Sequence, residues 1–139
     1  MAAQTLVEAL IRDEGLVLRM YKDSVGVSSI GVGHNLEAKP ITPHAAYVIL
    51  ADDVADAEQA VLRALPWSRN LDGPRFEALV NLAFNLGIGG LLDFKKALAA
   101  IERADWPTMA RELIDSKWYT QVGARADRII KQFATGTRQ

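Results

Sequence analysis

Glu14, Asp23, the Ser28–Ser29 pair and His34 lie within 21 positions of one another and carry side chains suited to acid–base chemistry. Cleavage of a glycosidic bond needs a proton donor for the leaving oxygen and a second group that activates water or stabilises positive charge. Two carboxylates in different environments can divide these tasks, and a nearby hydroxyl can hold the attacking water. Residue type alone is equally consistent with purely structural roles, in which Glu14 is a surface residue, Asp23 a turn residue and His34 a cap.

The segment before these residues is predicted to be a helix. Apolar residues recur at helical spacing between Leu6 and Ile11, which predicts a first helix over residues 3–13. Gly15 is a natural helix stop, so Glu14 falls at the C-terminal end of this helix.

The chain between Leu16 and His34 has β character. Alternating apolar residues and β-branched residues are interrupted by Gly26, Gly31 and Gly33. This pattern predicts short strands joined by tight turns, in a small sheet or hairpin.

Everything after Pro40 is predicted to be helical. Thr42 is a plausible N-cap before Pro43, and a long helix over 44–65 should end at Pro66. The apolar run from Phe76 to Leu86 should form the central core helix, broken at 87–90. Further helices are predicted over 92–104, 107–115 (with Asp105 as a cap) and 123–133.

These elements predict an α+β fold in a single domain over residues 1–139. Its expected parts are a small N-terminal lobe with the hairpin or sheet, a long connecting helix, and a larger all-helical C-terminal lobe packed with the first helix. The small lobe is expected to cover residues 14–50 and the connecting helix 44–65. The helical lobe is expected to cover 75–139 and to pack with the helix at 3–13.

Composition excludes several classes of protein. The chain has no cysteine and only two histidines, so we expect no thiol chemistry, no metal site and no cofactor. A net charge of −1 disfavours nucleic-acid binding, although short helices and basic residues between Phe94 and Phe133 keep a DNA-binding module as an alternative. We expect neither a signal peptide nor stable membrane insertion.

The order and spacing of the chemical residues are more specific than their types. Glu14, eight residues, Asp23, five residues and Ser29 lie within EGLVLRMYKDSVGVSSIGVGH. This signature resembles that of the phage-type lysozymes of glycoside hydrolase family 24, the T-even phage endolysin family. The resemblance continues through NLAFNLG (81–87), SKWYTQ (116–121) and FATGT (133–137), and so spans nearly the whole chain.

The resemblance implies a lysozyme-like fold and a muramidase that cleaves the β-1,4 bond between N-acetylmuramic acid and N-acetylglucosamine in peptidoglycan. Glu14 would be the general acid. Asp23 would place water or counter the oxocarbenium charge, and Ser29 would help to position that water. Serine stands at this third position where the T-even enzyme has threonine, so it lacks the methyl group that restricts the rotamers of threonine.

The resemblance also implies roles outside the signature. Asn85, Gln121 and Arg125 would line the substrate site, with Arg125 pairing with the catalytic glutamate. His34 and Asp53 would form a structural ion pair. Trp118 is expected to be a core residue, because a tryptophan at helical spacing more often packs than binds sugar.

Two rival functions stay open on the same fold: a lytic transglycosylase, and a glycan-binding protein without catalytic activity. For the biological setting we expect a monomeric endolysin that waits in the host bacterial cytoplasm. It would reach the periplasmic cell wall after membrane permeabilisation by a holin. A tail lysozyme, a prophage remnant or a secreted effector would share the same sequence features.

Overall fold

The computed structural model describes residues 4–139, and these hold seven α-helices, one 3₁₀ helix and a three-stranded antiparallel sheet. The α+β class predicted from the sequence is confirmed. In chain order the elements are α1 (Leu6–Glu14), β1 (Val17–Lys22), β2 (Ser28–Gly31), β3 (His34–Asn35), α2 (Pro43–Ala64), the 3₁₀ helix (Pro66–Asn70), α3 (Gly73–Leu92), α4 (Lys95–Glu102), α5 (Trp106–Ile114), α6 (Lys117–Val122) and α7 (Ala124–Thr135).

The chain forms two compact units, one ending at Ile49 and the other covering Leu50–Gln139, with the boundary inside α2. The division of the chain into lobes within one domain, and the packing of the first helix against the helical lobe, stay predictions.

In the first unit, α1 is defined by strong signals at both ends. Thr5 and Glu8 form a capping box, in which the Thr5 hydroxyl accepts from the Glu8 N–H and the Glu8 carboxylate accepts from the Thr5 N–H. Gly15, with φ +80°, ends the helix and donates its N–H to the Ile11 carbonyl. The predicted end at Glu14 is confirmed, whereas the helix begins at Leu6, later than predicted, because the Thr5 cap precedes it in extended conformation; residue 3 itself lies outside the described residues.

The sheet has the strand order β1-β2-β3, so β2 is the central strand. Ser29 pairs with Tyr21 of β1 on one side and with Asn35 of β3 on the other. The pairing of β1 with β2 is irregular between Val17 and Tyr21. The predicted small sheet is therefore confirmed. Its two turns lie at the two ends of the short central strand β2.

The long helix α2 begins as predicted. The Thr42 hydroxyl accepts a hydrogen bond from the Ala45 N–H at 3.1 Å, and Pro43 occupies the first helical position. The helix ends at Ala64, just before Pro66 starts the 3₁₀ helix.

The hydrophobic core of the second unit is built around α3, as the apolar run predicted. Five of its consecutive or near-consecutive residues are buried: Ala78, Leu79, Val80, Leu82 and Ala83. Leu113 of α5, Trp118 of α6 and Phe133 of α7 are also buried in this core.

The helices around and after α3 differ from the prediction in their bounds, and one of them was not predicted. The break predicted at 87–90 is a kink at Gly87 (φ 74°, ψ 160°), after which the helix resumes and runs to Leu92. Consequently the next helix begins at Lys95 and not at residue 92. The short helix α6 was not predicted; the Ser116 hydroxyl caps it by accepting from the Tyr119 N–H.

Arg75, in the first turn of α3, joins that helix to the end of α7. Its Nε donates to the Phe133 carbonyl at 2.7 Å, and its Nη2 donates to the Ala134 carbonyl at 3.2 Å. The guanidinium also pairs with Asp72 and lies 4.3 Å from the ring centre of Trp106. The Arg75 side chain thus donates to two carbonyls in the last turn of α7, where a helix leaves its carbonyls without partners.

Among residues 4–139, no single helix combines the length and apolarity needed to cross a membrane. Only α3 and α4 taken together reach that length and composition, and the chain bends by 112° between them.

Candidate active site

Glu14 is the last residue of α1, and its carboxylate is exposed beside the turn that joins β2 to β3. A methyl group placed on Gly33 of that turn would lie 2.9 Å from Glu14 Oε2. The first signature residue therefore sits against the turn that follows β2.

Asp23 lies at the other end of β2, in the turn that joins β1 to it. Its Oδ1 accepts hydrogen bonds from the backbone N–H groups of Val25 and Val27, both at 2.9 Å. The main chain of Asp23 closes the same turn with Val27 and Gly26. One carboxylate oxygen is therefore committed to the turn. Within the described residues of the first unit, Oδ2 has no donor and stays available for chemistry.

Ser29 is 4% exposed and lies in β2, between the two turns. Its hydroxyl is 3.4 Å from the Val27 carbonyl, longer than an ordinary O–H···O hydrogen bond. The hydroxyl is therefore only weakly engaged by the Val27 carbonyl.

Of the three signature residues, Ser29 lies in β2, and the other two lie near the turns at its two ends. β2 spans Ser28–Gly31, and at about 3.3 Å per residue its two ends are about 10 Å apart. Glu14 lies by one end, Asp23 by the other, and Ser29 between them.

In the second unit, α3 carries two asparagines, Asn81 and Asn85, one helical turn apart. Asn81 binds Arg125, which is one of the predicted binding residues, and Asn85 binds Trp118. Asn81 Oδ1 accepts from Arg125 Nη2 at 2.7 Å and from Nε at 3.2 Å. Asn85 Oδ1 accepts from the Trp118 Nε1–H at 2.7 Å. Residues of α6 and α7 are thereby fixed to one face of α3.

The predicted binding residues have unequal freedom. The oxygen of Asn85 is occupied by Trp118, so its amide nitrogen is the group left for a ligand. Gln121 is exposed in the last turn of α6. Trp118 is 5% exposed and makes an edge-on contact with Phe94, which confirms that it is a core residue.

Asn81 was missed by sequence reasoning, although it organises Arg125. The available signal was its position four residues before Asn85, which places both side chains on the same face of α3.

The predicted pairs Glu14–Arg125 and His34–Asp53 each join the two units and stay predictions. Within the first unit, His34 Nε2 lies 2.9 Å from the Lys39 carbonyl, so Nε2 is the ring nitrogen that carries the hydrogen of this bond.

Among residues 4–139, no group of three or more histidines and carboxylates is placed to hold a metal ion. The second unit shows one shifted acid–base group near the predicted binding residues. The pKa of Tyr119 is raised because its hydroxyl donates a hydrogen bond to Asp127, whose negative charge opposes loss of the proton.

A family model described as phage lysozyme matches residues 12–132. The chain is 32% identical over 162 residues to the probable T4-type lysozyme 2 of Dictyostelium discoideum, and the match covers 96% of this chain and 95% of that protein. The chain is also 29% identical to the pre-baseplate central spike protein of Enterobacteria phage T4, covering 95% of this chain and 28% of the spike protein.

A third relative is the endolysin of Salmonella phage P22, 32% identical over 91 residues, which cover 58% of this chain and 60% of the endolysin. The matched part of each relative therefore ranges from about a quarter of the spike protein to nearly all of the Dictyostelium lysozyme.

Proposed function

Because this chain belongs to the phage lysozyme family, we propose that it hydrolyses the β-1,4 bond between N-acetylmuramic acid and N-acetylglucosamine in peptidoglycan. The domain is a glycoside hydrolase of the lysozyme type. The proposed catalytic roles rest on the placement of Glu14 and Asp23 near the two ends of β2, with Ser29 within that strand.

Glu14 is the general acid in this proposal. It donates its proton to the glycosidic oxygen as the bond from that oxygen to the anomeric carbon breaks, which lets the leaving sugar depart neutral. Its place at the end of α1, exposed and beside a turn, gives a sugar chain access to the carboxyl group.

Asp23 acts on the opposite face of the sugar ring. Its Oδ1 is held by two backbone N–H groups, so the orientation of the carboxylate is fixed before substrate arrives. Oδ2 then accepts a proton from the attacking water or stabilises positive charge on the anomeric carbon.

Ser29 positions the water between the two carboxylates. Inverting glycosidases separate their carboxyl groups by about 6.5–9.5 Å to admit a water molecule, whereas retaining enzymes hold them about 5 Å apart. A water held by Ser29 between the two carboxylates corresponds to the wider, inverting arrangement, which would give a product with the α configuration at the new anomeric centre.

The second unit supplies the proposed substrate-binding groups. The free amide nitrogen of Asn85 and the exposed amide of Gln121 suit the hydroxyl and acetamido oxygens of amino sugars. Arg125, fixed by Asn81, would pair with Glu14, and the His34–Asp53 pair would contribute to stability.

For the biological setting we keep the proposal of a monomeric endolysin held in the host cytoplasm and released to the cell wall through a holin. The relative from phage P22 carries the name endolysin, which supports this setting. The relative from phage T4 is a spike protein, so the alternative to the endolysin setting is a tail-associated lysozyme.

The test uses Gram-negative cells stripped of their outer membrane. We expect the unmodified chain to clear the suspension and Glu14→Gln, which keeps the shape of the side chain but cannot donate a carboxyl proton, to lose activity by at least about a hundredfold. Arg12→Gln is the matched control, because Arg12 is exposed on the same helix and its hydrogen bonds to described residues go to Asp13 and Gln4. Equal clearing by Glu14→Gln would remove Glu14 from the role of acid.

Mass spectrometry of the digested peptidoglycan separates the rival functions. Hydrolysis adds one water to each cleaved bond and leaves a reducing muramic acid, whereas a lytic transglycosylase forms an anhydro-muramic end without adding water. Binding to peptidoglycan without any cleavage would support a glycan-binding protein instead.

A further inference from the structure

The turn between β2 and β3 passes directly against the Glu14 carboxyl group. At Gly33 a Cβ atom would lie 2.9 Å from Glu14 Oε2, 3.1 Å from Cδ and 3.3 Å from Cγ. Carbon–carbon contacts are optimal at about 3.5–4.0 Å, so three atoms of Glu14 occupy the space that any side chain at position 33 would need. Only glycine leaves that space to Glu14.

Gly31, the last residue of β2, provides an internal comparison. Both glycines have positive φ, +70° at Gly31 and +66° at Gly33, which disfavours any residue with a side chain. At Gly31, however, an added Cβ would meet nothing within 4 Å. Backbone conformation alone explains glycine at position 31, whereas position 33 has a second requirement, the approach of Glu14.

We propose that Gly33 is a positioning residue for the general acid: its missing side chain lets the Glu14 carboxyl group rest against the turn backbone. This inference rests on the proposed role of Glu14. A glutamate at a helix end has several freely rotating bonds, and contact with the turn on one side removes some of their rotamers. The proton is thereby held near the place where the glycosidic oxygen must lie.

The chemical nature of the contact predicts which property a side chain at position 33 would damage. The atoms that collide belong to the outer part of a flexible, exposed side chain, so Glu14 can swing away at little cost to the fold. A general acid moved by about 1 Å, however, loses on the order of a hundredfold in rate. The damage should therefore appear in kcat and not in stability.

The experiment compares Gly33→Ala with Gly31→Ala in the full chain, by thermal denaturation and by kcat and KM on soluble, uncross-linked peptidoglycan strands. Both variants should lose similar thermal stability, because both place alanine at a positive φ. We expect kcat of Gly33→Ala to be at least about tenfold lower than that of Gly31→Ala, with KM changed by less than about twofold. Equal kcat in the two variants would overturn the inference, as would failure of Gly33→Ala alone to fold.

A second pair of variants tests whether a side chain at position 33 would meet anything besides Glu14. In a Glu14→Ala background the carboxyl group is absent, so Gly33→Ala and Gly31→Ala should shift the melting temperature equally. A larger shift for Gly33→Ala in that background would show that position 33 contacts something other than Glu14 and would contradict the inference. The failure of the proposed function is recognised separately, because it requires Glu14→Gln to remain active while Gly33 is unaltered.

Discussion

At the scale of single residues, Asp23 has a structural task in addition to its proposed catalytic one. Its Oδ1 accepts from the backbone N–H groups of Val25 and Val27, and this acceptor role does not need a negative charge. An asparagine in the same place can accept the same two hydrogen bonds through its amide oxygen, but it cannot take a proton from water.

We therefore expect Asp23→Asn and Asp23→Ala to lose activity alike but to differ in stability. Asp23→Asn should unfold close to the temperature of the unmodified chain, whereas Asp23→Ala should lose about 1–2 kcal/mol because two backbone donors of the turn lose their partner. Urea denaturation and turbidity clearing measure the two properties. Substantial activity in Asp23→Asn would refute a role of the charge in catalysis.

At this scale the sequence predicted a turn at Asp23, and the structure confirms it. The catalytic roles of Glu14, Asp23 and Ser29, taken from their spacing, stay predictions. The contact of Glu14 with Gly33 could not be predicted, because it depends on how a helix end meets a turn 19 residues further along the chain.

At the scale of elements, the ends of α3 and α7 are joined by the side chain of Arg75. Its planar guanidinium donates to two carbonyls, pairs with Asp72 and stacks on Trp106. A lysine carries the same charge but lacks the fork of donors and the flat face needed for stacking.

Arg75→Lys should therefore destabilise the protein by about 1–3 kcal/mol. The matched control is Arg138→Lys, which alters another arginine–carboxylate pair of the same region. Arg138 and Glu77 are 68% and 48% exposed, so that change should cost less than about 1 kcal/mol. Denaturant unfolding of both variants is the measurement, and losses of equal size would contradict the proposed importance of Arg75.

The helices themselves were predictable to the extent that their signals are local. Thr42 and Asp105 were identified as caps, and both accept the expected backbone hydrogen bonds. The helix α6 was missed because six residues are too few to show a periodic pattern. Gly87 was predicted to end a helix, but packing of the apolar residues beyond it restores helical structure up to Leu92.

At the scale of the whole molecule, stability depends on pH through carboxylates that are stabilised in the folded state. The pKa of Asp72, the N-cap of α3, lies below its ordinary value, chiefly because the Arg75 N–H donates to it and further because of the Arg75 side chain; partial burial opposes these effects. The pKa of Glu77 is likewise lowered, first by its hydrogen bond from Arg138.

A carboxyl group with a depressed pKa binds fewer protons folded than unfolded, so its contribution is present above its ordinary pKa, about 4, and is lost as the pH falls below it. We expect the melting temperature to decline in this acidic range, and to decline less steeply in Asp72→Asn, which keeps the capping oxygen but does not titrate. Melting curves between pH 7 and about 2.5 test this expectation. Parallel declines in the two proteins would contradict it.

The arrangement of the two units could not be predicted at all from sequence patterns. Periodicity and capping report on neighbours along the chain, whereas the pairs Glu14–Arg125 and His34–Asp53 connect residues that belong to different units. These pairs rest on the family resemblance alone, and they stay predictions for that reason.

The turn at Asp23 also has a consequence for the history of such sequences. Aspartate and asparagine codons differ by one nucleotide, and here that change leaves the two hydrogen bonds of the turn in place. Given the proposed role of Asp23, one mutational step would remove cleavage of the cell wall and leave the turn folded. Asparagine at position 23 would then mark members of the family that keep the fold without the proposed catalysis.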